Sequence, residues 1–165
     1  MSKIIFPLDN YKVSGYKFGQ VVPGWGTHLG DDCDAKENTP VKSIVTGVVV
    51  YSALHPGSVR KRNWGNIIII KHKVFRKRQF YYSLYAHLGK RLKKINDKIK
   101  KGEVVGYIGK SNCAENGWWP AHLHFAIYTG PWNDQVLPGY YKKEQKRTRL
   151  SYWKNPTEWI SENSK

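Results

Sequence analysis

Ala121-His122-Leu123-His124-Phe125-Ala126-Ile127-Tyr128 is the stretch on which the reading of the fold turns. Apart from its two histidines it is apolar and aromatic, and it predicts a buried β-strand. Side chains alternate between the faces of a strand, so His122 and His124 share one face, about 7 Å apart along the chain. Two imidazoles on one rigid face are well placed to serve a single metal ion. One can ligate; the other can ligate too, or stand beside the metal as acid or base. The spacing does not say which does which, and the pair alone is a weak signal.

Outward from this strand the chain reads as almost all β. Further strands are expected at Val45–Ser52, Gly65–His72, Gln79–His87 and Glu103–Ile108. Turn formers separate them: Pro56-Gly57, Asn63, Gly89, Gly102, Gly109 and Asn112. No long stretch has a helical apolar period. Short strands so spaced predict compact antiparallel sheets folded on each other, as in a sandwich or a partly open barrel.

A partner for the histidine pair lies upstream, in Gly26-Thr27-His28-Leu29-Gly30-Asp31-Asp32. Pro23, Gly24, Gly26 and Gly30 argue against a helix there. On a straight strand His28 and Asp32 would stand about 13 Å apart, too far to share an ion. If they share one, the backbone must bend between them, and Gly30 is the residue expected to permit it. Two histidines and a carboxylate, with a fourth position left for water, is a catalytic zinc pattern; structural zinc more often recruits cysteines.

A third segment, Tyr81-Tyr82-Ser83-Leu84-Tyr85-Ala86-His87-Leu88-Gly89, ends an aromatic strand in another histidine. With it the chain resembles the lysostaphin-like (LytM-type) zinc metallopeptidases, which cut peptidoglycan peptides. The resemblance rests on His28-Leu29-Gly30-Asp31-Asp32, Tyr85-Ala86-His87-Leu88 and His122-Leu123-His124-Phe125, in that order, and covers roughly residues 20–130. It implies that His28, Asp32 and His124 hold one zinc ion. His87 and His122 would flank the attacking water without ligating, their individual roles left open. It also implies a narrow groove with the zinc on its floor, suited to an extended peptide. The implied activity is zinc-dependent endopeptidase cleavage of stem cross-links or cross-bridges. The bond itself is open: a glycine bridge, a D-Ala-to-diamino-acid link, or another. No counterpart is found for an accessory tyrosine near the oxyanion.

Length and composition fit that expectation. A chain of 165 residues is long enough for a core and for one domain, residues 1–165, with no internal repeat or flexible linker. Twenty-eight Lys and Arg against twelve Asp and Glu leave a net charge of +16, which favours an anionic partner. Peptidoglycan bearing anionic wall polymers would serve; so would nucleic acid. The basic runs Arg60-Lys61-Arg62, Lys71 to Arg78, Lys90 to Lys101 and Lys142 to Arg149 read first as solvated surface. Trp118-Trp119-Pro120, after the turn signal Asn116-Gly117, is expected to rim the cleft. His55 reads as a loop residue and His72 as a strand end, neither in the site.

Residues 1–20 are expected to lie over the core as irregular chain. Residues 131–165 are an extension docking on it, ending in a short helix capped by Asn155 with Pro156 at its first position and Trp159 and Ile160 turned inward. Pro131 to Arg149 carries no recognisable motif. Cys33 and Cys113 flank segments that should approach the metal, so a disulfide between them and two free thiols are both open. No transmembrane run exists, and Met1 to Asp9 is too short an apolar patch for a signal peptide. The substrate class nonetheless implies an extracytoplasmic site of action, and a monomer is expected. Two other readings stand beside this one: an inactive wall-binding or hydrolase-regulating module of the same fold, and a basic nucleic-acid-binding β domain.

Overall fold

His122–Tyr128 is an interior strand of a large antiparallel sheet, paired along both edges, and all seven of its residues are buried. The computed structural model describes residues 3–74 and 79–164; Phe75 to Arg78 of the second basic run lie outside them. Within them the strands are β1 (Val21–Val22), β2 (Gly26–His28), β3 (Asp31–Asp34), β4 (Pro40–Lys42), β5 (Gly47–His55), β6 (Gly65–Lys73) and β7 (Phe80–Arg91). There follow β8 (Lys98–Ile99), β9 (Val104–Ile108), β10 (His122–Tyr128), β11 (Tyr140–Tyr141), β12 (Trp153–Lys154) and the helix α1 (Pro156–Asn163). The all-β antiparallel expectation is borne out. The five expected strands are present, with β5 and β7 each continuing three or four residues further.

One edge of β10 pairs with β7 over His124–Tyr128. The other is shared: β3 takes His122–Phe125 and β12 takes Ile127–Tyr128. The sheet continues through β6 and β5 to β8, while β9 joins β7 and β4. A separate three-stranded sheet, β1-β2-β11, stands beside the His28 end of β2.

The period of two divides β10 as its sequence suggests. Leu123, Phe125 and Ile127 enter one apolar cluster with Ile68, Ile70 and Tyr85. Ala126 and Tyr128 continue the histidine face into a second cluster with Ile67, Ile69 and Leu84. The four isoleucines of β6 are wholly buried, two on each face, each stabilising the fold by roughly 1.5–3 kcal/mol. A slip of one residue in β10 would exchange its faces and carry His122 and His124 into the first cluster, so the register is strongly specified.

The ends of the chain close the first cluster. Residues 3–20 form no strand, and Ile4 and Leu8 are buried in it. Asn155 caps α1, its side chain accepting the Glu158 N–H, with Pro156 at the start of the helix. Ile160 is buried, and Trp159 lies against Tyr81 with ring centroids 5.3 Å apart.

Candidate active site

The bend between His28 and Asp32 occurs in Leu29-Gly30, between β2 and β3. Gly30 is needed there for space and not for a left-handed backbone: a Cβ would lie 2.5 Å from the Phe125 carbonyl oxygen and 2.8 Å from His124 Nε2. The bend brings His28 Nε2 to 3.4 Å from Asp32 Oδ1. Register does the rest, because Asp32 of β3 faces His124 of β10 directly. His124 Nδ1 stands 2.9 Å from Asp32 Oδ1 and 3.1 Å from His28 Nε2.

These three atoms make the one group of His, Cys, Asp and Glu among the described residues that could hold a metal ion. Donor atoms around tetrahedral zinc, with bonds near 2.0–2.1 Å, stand about 3.3 Å from one another. The separations here, 2.9, 3.1 and 3.4 Å, fit that spacing. The chemistry fits too. Burial would raise the Asp32 carboxyl, but hydrogen bonds from His124 and His28 hold it well below the usual carboxylate range. Burial lowers His124 despite the opposing pull of Asp32. A carboxylate and a neutral imidazole are what a zinc ion binds.

His87 and His122 stand beside this trio. Their ring centroids are 4.6 Å apart, and His122 Nε2 is 3.7 Å from Asp32 Oδ1. Each has its Nδ1 against a backbone carbonyl, His87 on Asn116 at 2.9 Å and His122 on Pro120 at 2.7 Å. A carbonyl only accepts, so each Nδ1 carries a proton, and in the neutral ring the lone pair is on Nε2. Burial, with His122 and His124 adding, pushes His87 well below the ordinary histidine value, so it is neutral near pH 7.

The placement of His87 is not simple strand alternation. In β7, Tyr82, Leu84 and Ala86 share the site's face, while Tyr81, Tyr85 and Leu88 face the first cluster. Alternation would send His87 with Tyr85. Its backbone is left-handed instead, φ 63°, a conformation costly for a residue with a Cβ. That one residue shifts the phase of the strand and puts the imidazole beside His122. Hydrogen bonds from His87 N–H to Trp64 O and from Gly109 N–H to His87 O hold it there.

The five residues line a cleft of about 340 Å³. Its walls are aromatic: Trp25, Trp64, Trp119 and Tyr140. Trp119 rims it as expected, but Trp118 is not among the lining residues. His55, expected in a loop, is the last residue of β5 and lines the cleft, its Nε2 2.7 Å from Tyr51 Oη. The motifless segment after Pro131 supplies the opposite wall, from Val136 to Arg147. Tyr140 of β11 pairs with His28 of β2 and its ring lies 5.2 Å from the His28 ring. Burial, then the charge of Asp32, raises its phenol, which stays protonated. Tyr140 went unread in the sequence; Pro138-Gly139 followed by two tyrosines was its available sign, a turn opening a short strand.

Cys33 and Cys113 are both free thiols. The strand alternation that turns Asp32 to the site turns Cys33 into the core, away from Cys113.

A family model described as "Peptidase family M23" matches residues 26–137, and the chain belongs to that family, as the three motifs implied. It is 30% identical over 131 residues to the glycyl-glycine endopeptidase ALE-1 of Staphylococcus capitis, covering 78% of this chain and 32% of that protein. It is 29% identical over 123 residues to the peptidoglycan DD-endopeptidase ShyC of Vibrio cholerae, covering 72% and 25%. The chain thus spans about a quarter to a third of the length of these curated relatives. Among solved structures it is similar to a zinc-containing peptidase from Vibrio cholerae, with TM-score 0.57 and 28% identity over 74% of this chain and 35% of that one.

Proposed function

We propose that this chain is a zinc-dependent endopeptidase of peptidoglycan peptides. In this reading His28, Asp32 and His124 hold one zinc ion, and His87 and His122 carry protons on either side of the attacking water. The observation that carries it is the convergence of two imidazole nitrogens and one carboxylate oxygen beside two further imidazoles, each fixed by its Nδ1 to a backbone carbonyl. The relatives named above act as endopeptidases, one on peptidoglycan, and a structural relative contains zinc.

Zinc bound there would supply an acidified water and polarise the scissile carbonyl. The remaining work belongs to side chains. A histidine with Nδ1 fixed to a backbone carbonyl presents Nε2 in a set direction, ready to accept a proton and return it to the leaving amine. The protonated phenol of Tyr140 can donate to the oxygen on which charge develops, and the second histidine can do so once its Nε2 has taken up a proton. Residues 1–165 act as one domain, a monomer working outside the cytoplasm.

The test is zinc content, followed by release of soluble muropeptides from purified walls, for wild type, His124→Ala and His122→Ala. Zinc loss in the first variant only, with activity lost in both, is expected. An inactive wall-binding module would bind zinc and walls without release. A nucleic-acid binder would show oligonucleotide affinity falling steeply with salt and no metal requirement. Activity in metal-free wild type would overturn the proposal.

A further inference from the structure

The cleft carries a charge pattern that hydrolysis of a peptide bond does not require. Arg62, Lys142 and Arg147 line it, and its one carboxylate is Asp32, already committed to the histidines. Ion pairs of Lys or Arg among the described residues lie elsewhere, at Lys42–Asp9 and Lys93–Glu103. Three cations against an aromatic wall, without a counter-charge, focus a positive potential into the groove.

Two of the cations are held in position. The Arg62 guanidinium lies over the Trp119 ring, 4.5 Å from its centroid. Stacking occupies the flat face of a guanidinium and leaves its N–H edge free to fork onto a carboxylate. Lys142 Nζ donates to the Gly24 carbonyl at 3.0 Å, which fixes the ammonium at the rim with donors to spare. Lys142 and Arg147 also lie beyond residue 137, where the family match ends.

Resting on the peptidase reading, we propose that the substrate is a peptide with a free carboxylate close to the scissile bond. Arg62, Lys142 and Arg147 bind that carboxylate. A diamino-acid cross-link with its side carboxyl unblocked has this chemistry; an uncharged glycine bridge does not. Lining the groove with cations would gain nothing for a glycine strand, which offers them no anion.

The test uses zinc-loaded protein and one synthetic cross-linked muropeptide dimer prepared with its carboxyls free or amidated, beside a glycine-bridged dimer. The free form is expected to have a kcat/KM roughly tenfold higher than the amidated form. In Arg62→Gln/Lys142→Gln/Arg147→Gln that ratio falls toward one, mainly through KM. In Lys98→Gln/Lys100→Gln/Lys101→Gln, which removes the same charge outside the cleft, the ratio persists. Equal rates on free and amidated dimers overturn the proposal, as do faster cleavage of the glycine bridge or equal losses in both triple variants. If the zinc-loaded protein cleaves none of the three, the peptidase reading itself fails. Calorimetric binding of the free and amidated dimers then judges the charge preference alone, and equal affinities overturn it.

Discussion

Asp31 and Asp32 are adjacent on β3 and point to opposite faces of the sheet. Asp32 Oδ1 meets His124 and His28 in the cleft. Asp31 faces the core side: Oδ2 accepts from Tyr11 Oη at 2.9 Å and Thr157 Oγ1 at 2.7 Å, and Oδ1 accepts the Phe18 N–H at 3.0 Å. One carboxylate therefore ties the N-terminal segment and α1 to the sheet, while its neighbour serves the site.

Exchanging the two carboxylates should separate stability from metal binding. Asp31→Ala leaves three donors without their acceptor and is expected to cost roughly 2–4 kcal/mol, with zinc stoichiometry kept. Asp32→Ala is expected to lose zinc and activity. Its unfolding midpoint in urea with chelator should fall by less than that of Asp31→Ala. Urea unfolding and metal analysis on both variants check this; equal loss of zinc in the two would show that Asp31 is not merely a tie.

The left-handed backbone at His87 makes a second prediction. Removing the imidazole should abolish activity whatever replaces it, but the replacements should differ in stability. Glycine adopts φ 63° freely and alanine does not, so His87→Gly should be about 1 kcal/mol more stable than His87→Ala. Ordinarily glycine is the worse substitute. Thermal and urea unfolding of the two variants decide the order, and a more stable alanine variant would refute the strain.

His72 gives a pH dependence outside the site. It is buried, with Nδ1–H on the Thr46 carbonyl at 3.0 Å and Nε2 2.7 Å from the Ser83 hydroxyl. Burial pushes its pKa down to about 4, from an ordinary 6.5. Between those values the unfolded chain binds a proton that the folded chain does not. Stability therefore falls as pH drops from about 6.5 to about 4, by up to about 3 kcal/mol from this residue. Chelated wild type and His72→Gln, unfolded in urea from pH 4 to 7, should differ by about that much in the total stability lost across the range. Parallel curves would show that His72 does not titrate on unfolding.

Much of this architecture was legible in the residues. The alternation of β10, the four isoleucines of β6 and the Asn155-Pro156 helix start are local patterns with local causes. So is the sharing of one face by His122 and His124. What could not be read depends on contacts distant in sequence. The phase shift at His87 needs Trp64 and Gly109 to hold it, and neither announces the left-handed turn. Gly30 looks like a bend residue, yet its requirement comes from the His124 ring, 94 positions away by residue number. Tyr140 and Lys142 reach the cleft only because β11 pairs back onto β2, a register that two short strands do not advertise. The possible disulfide failed for the opposite reason: period two alone turns Cys33 inward.

That pairing of β11 with β2 has an evolutionary corollary. The strand bearing the groove's cationic wall is bonded to the strand that ends in His28, and the Leu29 N–H donates to the Gly139 carbonyl. Drift in the wall is thereby coupled to the geometry at His28. Lineages that alter substrate preference through this segment should retain its backbone register and vary only its side chains, as a lock keeps its barrel while its pins are recut.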